Sequence, residues 1–194
     1  MPKALGLLLI ALLSVACGSS EPSGAQSSEA GAPASGLREH RPPPLLLISI
    51  DGFRFDYRRR AETPNLDRLV GEGVAAEGLV HVFPTKTFTN HYTIATGLYA
   101  ENHGVVANSM WDPIRERSFS LRNRQAVMDP AWYDGEPIWR TAERQGLISG
   151  TFSWPGSEAP IGGRHATYWR QYDSSIPHLE RIDQILDWLD LPAA

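Results

Sequence analysis

Asp51, Thr87 and Asn108 have the side-chain types and the setting for chemistry on an anionic substrate. Asp51 directly follows the apolar run Leu45-Leu46-Leu47-Ile48-Ser49-Ile50 and precedes Gly52. A carboxylate at a strand end can coordinate a divalent cation, or it can cap a turn through the backbone. Thr87 lies in Phe83-Pro84-Thr85-Lys86-Thr87-Phe88, where a helix is expected to begin. Open backbone N–H groups at a helix start stabilise negative charge, so a hydroxyl there suits nucleophilic attack on phosphorus. Threonine is also a common N-cap, and residue chemistry alone leaves both roles standing. Asn108 offers an amide N–H for an oxyanion without adding charge; its other reading is a turn residue beside Ser109.

Neighbouring residues add weaker signals. Lys86 can raise the local positive potential or face water. Phe88 can wall a leaving group or fill the helix core, and Tyr168 and Trp154 can extend that wall or simply pack. Asn90 and His91 fit a role in holding loop and helix together rather than in reacting. The capacity of imidazole to bind zinc does not by itself make His81, His91 or His103 a metal ligand, and Asp56 reads as a surface or structural residue.

The elements that must position these residues follow from periodicity and punctuation. Leu45–Ile50 reads as a strand buried on both faces. Thr63 and Pro64 open a helix whose inward face is Leu66, Leu69 and Val70, ended by Gly71 and Gly73. Leu79–Phe83 reads as a second strand, Phe88–Thr96 as a helix stopped by Gly97, Pro137–Gln145 as another, and Leu147–Phe152 as a strand. Ile176–Leu191 carries Leu179, Ile182, Ile185, Leu186 and Leu189 at helical spacing. Alternating strand and helix signals predict an α/β fold with a mostly parallel central sheet flanked by helices, Asp51 and Thr87 standing at strand-to-helix crossings.

The 194-residue chain has a formal net charge of -4 and disperses its arginines, apart from Arg58-Arg59-Arg60. That short run reads as a solvated surface, and the scattered aromatics build no stacking platform, so no specific nucleic-acid partner is expected. Residues 1–16 read as a secretory signal, with an apolar stretch too short for a membrane span. Cys17 is the one cysteine, and Ser14-Val15-Ala16-Cys17-Gly18 resembles the cleavage and lipidation site of a bacterial lipoprotein. The expectation is therefore a bacterial cell-envelope protein, periplasmic or anchored to the outer membrane through lipid on Cys17, alternatively secreted. Residues 17–44, poor in long apolar side chains, read as a tether, and residues 45–194 as the folded part.

A longer series of motifs is more specific than any of these residues alone. Ile50-Asp51-Gly52-Phe53-Arg54, Thr63-Pro64-Asn65-Leu66-Asp67, the Phe83–Phe88 run and Asn90-His91-Tyr92-Thr93 occur in order. They are followed by Thr96-Gly97-Leu98-Tyr99, Glu101-Asn102-His103-Gly104, Asn108-Ser109-Met110-Trp111-Asp112-Pro113, Gly135-Glu136-Pro137-Ile138-Trp139 and Trp154-Pro155-Gly156-Ser157-Glu158. The series resembles the nucleotide pyrophosphatase/phosphodiesterase family of the alkaline phosphatase superfamily. The resemblance implies hydrolysis of phosphodiester or pyrophosphate bonds, in nucleotides or related diesters, through a phospho-threonine intermediate and with two zinc ions. It makes Asp51 a zinc ligand, Thr87 both nucleophile and ligand of the same zinc, Asn108 the oxyanion donor and Phe88 part of the leaving-group pocket.

Thr89 stands where the family typically has proline, and Ser153 where many relatives carry a bulkier side chain. The remaining ligands implied by the family are an Asp with a His four residues later, an Asp-His pair and a further His. None is recognisable after Thr87, since Asp173 and His178 are spaced by five. Residues 45–194 are accordingly expected to be the N-terminal part of a catalytic domain, with the other zinc ligands absent. The alternatives are a catalytically defective envelope protein that binds phosphate or nucleotide, and a phosphomonoesterase, phosphonate hydrolase or sulfatase of the same superfamily.

Overall fold

The structure, a computed structural model, describes residues 43–191. The expected signal segment, Cys17 and nearly all of the tether lie outside those residues. Proline fixes the start of helix α1 (Pro64–Glu72), with Thr63 at its N-cap and Gly73 after its last turn. Helix α2 (Thr87–Thr96) ends at Gly97, whose φ of 71° is left-handed and whose N–H donates to the Thr93 carbonyl. Glycine adopts that conformation without the Cβ penalty, which is why the helix stops there. A short helix α3 (Ala100–His103) follows.

Strands β1 (Ser109–Asp112) and β2 (Arg117–Ser120) form an antiparallel hairpin with Met110 opposite Phe119. The side chain of Asn123 caps α4 (Arg124–Met128) by accepting from the Gln125 and Ala126 N–H groups. After α5 (Ile138–Arg144), β3 (Gly150–Phe152) pairs in parallel with β4 (Tyr168–Arg170), and α6 (His178–Asp190) closes the described region. Trp188 of α6 lies over this pair, its ring 5.8 Å from Phe152 and 6.0 Å from Tyr168.

The core gathers beneath α2. Tyr92 is fully buried, with ring contacts to His103 and Tyr133 at 5.2 Å each. Phe119, Val127, Trp132, Trp139, Ala159 and Ile161 are among its other members, and Phe88, Met110 and Trp154 pack on its edge. Gly156 has φ 89°, and a Cβ there would lie 2.9 Å from two Tyr92 ring carbons. The Trp154–Glu158 loop can therefore press onto α2 only with glycine at this position.

The expected mostly parallel central sheet is corrected by this architecture. The described residues are mainly helical, with two separate two-stranded sheets, of which one is antiparallel. Residues 45–50 make no strand, and Leu45, Leu46, Leu47, Ile48 and Ile50 are 52–88% exposed. Leu79, Val80 and Phe83 are also exposed and unpaired in any sheet. An apolar run specifies an extended chain that favours burial, but a strand also needs a neighbouring backbone to receive its N–H and C=O groups. That pairing is not encoded in the run itself. The α6 stripe departs in the same way: Leu179, Ile182, Leu186 and Leu189 are exposed, and Trp188 makes the ring contacts to the β3–β4 pair.

Candidate functional site

The approach to Thr87 is held by Asn90, three residues into α2 and only 7% exposed. Its Oδ1 accepts from the Val82 N–H at 2.9 Å, and its Nδ2 faces the carbonyls of Val82, Pro84 and Lys86 at 3.1–3.3 Å. One amide thus pins the segment entering the helix. Lys86 occupies the N-cap in an extended conformation without a side-chain capping bond, and Thr87 is the first helical residue.

The Thr87 hydroxyl is not spent on the backbone. Oγ1 donates to Asp51 Oδ2 at 3.1 Å, joining residues far apart in the chain. Asn108 completes the arrangement by accepting the Phe88 N–H on Oδ1 at 3.0 Å. That bond supplies the cap α2 lacks at its own N-terminus and leaves the Asn108 Nδ2 with no hydrogen bond among the described residues. A hydroxyl, a carboxylate and an amide therefore meet at a helix start of positive potential.

The other expected residues are placed differently from one another. Phe88 is half-buried, its ring 5.6 Å from Phe119 in an edge-on contact. The Lys86 side chain is exposed. Trp154 donates its indole N–H to the His91 carbonyl at 3.0 Å and meets the His91 ring edge-on at 5.4 Å. Tyr168 sits in β4 and stacks on Trp188. His103 is fully buried, with Nδ1 accepting from the Val105 N–H and Nε2 bonded to Thr93 Oγ1, so both ring nitrogens serve the fold.

His91 holds loop and helix together as expected, through two partners the sequence did not name. His91 Nδ1 lies 2.8 Å from the Thr87 carbonyl, and its Nε2 lies 2.8 Å from Ser49 Oγ. Ser49 reads in the sequence only as a polar residue inside an apolar run, and nothing local marks it as a partner of His91.

The fit to a zinc centre is partial. Asp51 and Thr87 present two adjacent oxygen donors, whereas a zinc ion takes about four ligands. Among the described residues no group of three or more His, Cys, Asp or Glu side chains could hold a metal ion.

The family pattern described as "Type I phosphodiesterase / nucleotide pyrophosphatase" matches residues 45–194. Venom phosphodiesterase CdcPDE of Crotalus durissus collilineatus is 48% identical over 153 residues, covering 78% of this chain and 18% of the venom protein. Human ectonucleotide pyrophosphatase/phosphodiesterase family member 1 is 47% identical over 152 residues, 77% of this chain and 16% of its own length. The chain thus spans less than a fifth of these relatives. Among solved structures, murine ectonucleotide pyrophosphatase/phosphodiesterase 5, an inactive variant in complex with AMP, superposes with a TM-score of 0.70 at 40% identity. That match covers 74% of this chain and 38% of the murine one.

These relatives correct the expected bacterial-envelope location, since they come from snakes and mammals and include a venom phosphodiesterase by name. An apolar export segment followed by small residues reflects the physics of export in general and does not specify a bacterial compartment. No helix among the described residues is long and apolar enough to cross a membrane. With 150 residues matched by its pattern and with these relatives aligned across the same region, the chain belongs to the type I phosphodiesterase / nucleotide pyrophosphatase family.

Proposed function

We propose that this chain carries the nucleophile-bearing part of a metal-dependent hydrolase acting on phosphodiester or pyrophosphate bonds of nucleotides or related diesters. The observation that carries this reading is the Thr87 hydroxyl aimed at Asp51 Oδ2, 3.1 Å away, at the first residue of α2. Family membership supports the reaction class, and the AMP bound to the murine relative supports a nucleotide substrate or product.

In this mechanism Thr87 Oγ bonds to phosphorus as the bond from phosphorus to the leaving oxygen breaks. The hydroxyl proton passes toward Asp51 Oδ2 and on to solvent, and the leaving oxygen departs as an alcohol with a proton from water. Water then attacks the phospho-threonine, releasing the phosphomonoester and restoring the Thr87 hydroxyl. Asn108 Nδ2 donates to the oxygens on which charge develops, and the positive end of α2 favours that charge. Asp51 and Thr87 are the residues that would hold one of the two zinc ions implied by the family, and a zinc ion bound there supplies a lowered hydroxyl pKa. Phe88 and the exposed Lys86 flank the nucleophile and are assigned to the leaving-group side, Trp154 bears on it through the His91 carbonyl, and Tyr168 is engaged by Trp188 instead.

The test is turnover of a chromogenic aryl nucleotide diester by the full chain with excess zinc. Thr87→Ala lowers kcat by roughly 10⁴-fold, and a quenched reaction with labelled substrate leaves label on Thr87. Nucleotide binding without turnover would instead identify a defective binding protein. Faster cleavage of a monoester or sulfate would move the chain to another branch of chemistry.

A further inference from the structure

We infer that His91 is a positioning residue, one rung of a two-rung ladder that sets Asp51 against Thr87. The inference rests on the proposed function for its catalytic meaning and on geometry for its existence. His91 and Thr87 are four residues apart on α2, about 6 Å along a helix. Ser49 and Asp51 are two residues apart, a span of at most about 7 Å, where the chain enters the turn at Asp51. That reach covers one helical repeat, and the contacts pair the two segments in opposite directions: Ser49 with His91 at 2.8 Å and Asp51 with Thr87 at 3.1 Å.

The ring's protonation pattern follows from its partners. A carbonyl only accepts, so Nδ1, 2.8 Å from the Thr87 carbonyl, carries the proton. In the neutral ring Nε2 is then the acceptor, and Ser49 Oγ donates to it. Trp154 fixes the base of this rung by donating to the His91 carbonyl and packing its indole on the ring. The rung matters because residues 45–50 pair with no strand among the described residues and are largely exposed. Without it, the Thr87 bond alone ties the Asp51 carboxylate to α2.

The test compares Ser49→Ala, His91→Phe and the double variant in the full chain. Diester turnover is expected to fall roughly 10- to 100-fold in kcat for His91→Phe, the scale of a small misplacement of reacting groups, with KM nearly unchanged. Ser49→Ala gives a smaller loss, and the double variant is no worse than His91→Phe because both changes break one rung. Two readouts do not depend on activity. Nitrogen NMR of labelled histidine, above the imidazole titration range, should find His91 protonated on Nδ1 and bare on Nε2, with Nε2 shifting in Ser49→Ala. Backbone amide order parameters at Ile50–Gly52 should fall in His91→Phe while the β1–β2 hairpin stays unchanged. A proton on Nε2, additive kcat losses, or unaltered order at Ile50–Gly52 overturns the ladder. If the wild-type chain turns nothing over, the proposed function falls and the tautomer and order-parameter data alone decide the ladder.

Discussion

Replacing Asn108 by aspartate separates two roles that one amide performs with two atoms. Oδ1 accepts from the Phe88 N–H at 3.0 Å and so caps α2, whose own N-cap residue Lys86 offers no side-chain bond. Nδ2 is the atom assigned to the oxyanion. Asn108→Ala removes both, and loss of a cap costs about 1 kcal/mol, or about 2–4 °C in Tm for a chain of this size. Asn108→Asp keeps the acceptor and adds negative charge at the helix N-terminus, which stabilises by about 0.3–1 kcal/mol at a partly exposed site. Repulsion from Asp51 offsets part of that gain, so its Tm should stay above that of Asn108→Ala. Its turnover should fall about 10²- to 10³-fold, the effect of losing one oxyanion donor, because a carboxylate now faces the phosphate. Thermal melts and zinc-supplemented diester assays on the three proteins read both quantities. Melting of Asn108→Asp as low as Asn108→Ala would refute the capping assignment. Turnover within roughly threefold of wild type would refute the oxyanion assignment.

Two further outcomes concern the scaffold beneath the site. Gly156→Ala forces a Cβ to 2.9 Å from two Tyr92 ring carbons and 3.3 Å from Tyr133 at a φ of 89°. Left-handed strain of about 1–2 kcal/mol and overpacking of about 1–3 kcal/mol should lower the denaturant midpoint clearly, and an unchanged midpoint would show that the loop does not press on α2. Burial pushes the His103 imidazole below its ordinary range, and its Nδ1 is already occupied as an acceptor for the Val105 N–H. The unfolded chain thus binds more protons than the folded one as pH falls below about 6.5, so stability is full above that pH and declines beneath it. His103→Gln should flatten the Tm profile between pH 7 and pH 5, on the order of the histidine range, and an unaltered slope would assign the acid loss elsewhere.

Much of the helical framework was legible in the residues. Thr63 and Pro64 announced α1, Gly97 announced the end of α2, and the expected helices over Pro137–Gln145 and Ile176–Leu191 were found as Ile138–Arg144 and His178–Asp190. The β1–β2 hairpin was not expected, because Met110–Pro113 read as part of a motif rather than as a strand beside a turn. The mostly parallel sheet was expected and is not present in the described residues, because apolar runs such as Leu45–Ile50 and Leu79–Phe83 carry no information about which backbone pairs with them.

By itself the sequence determined the existence of α1, α2, α5 and α6, the family and the residue types at the helix start, since helical hydrogen bonds reach only four residues and motif order survives in one dimension. Tertiary structure alone decided that the Thr87 hydroxyl turns to Asp51 instead of capping its own helix, that Asn108 supplies that cap, and that His91 reaches Ser49. Those contacts join residues 20, 36 and 42 positions apart. No local preference encodes them; the approach of the segment around Asp51 and of the loop before β1 to α2 brings their atoms within reach.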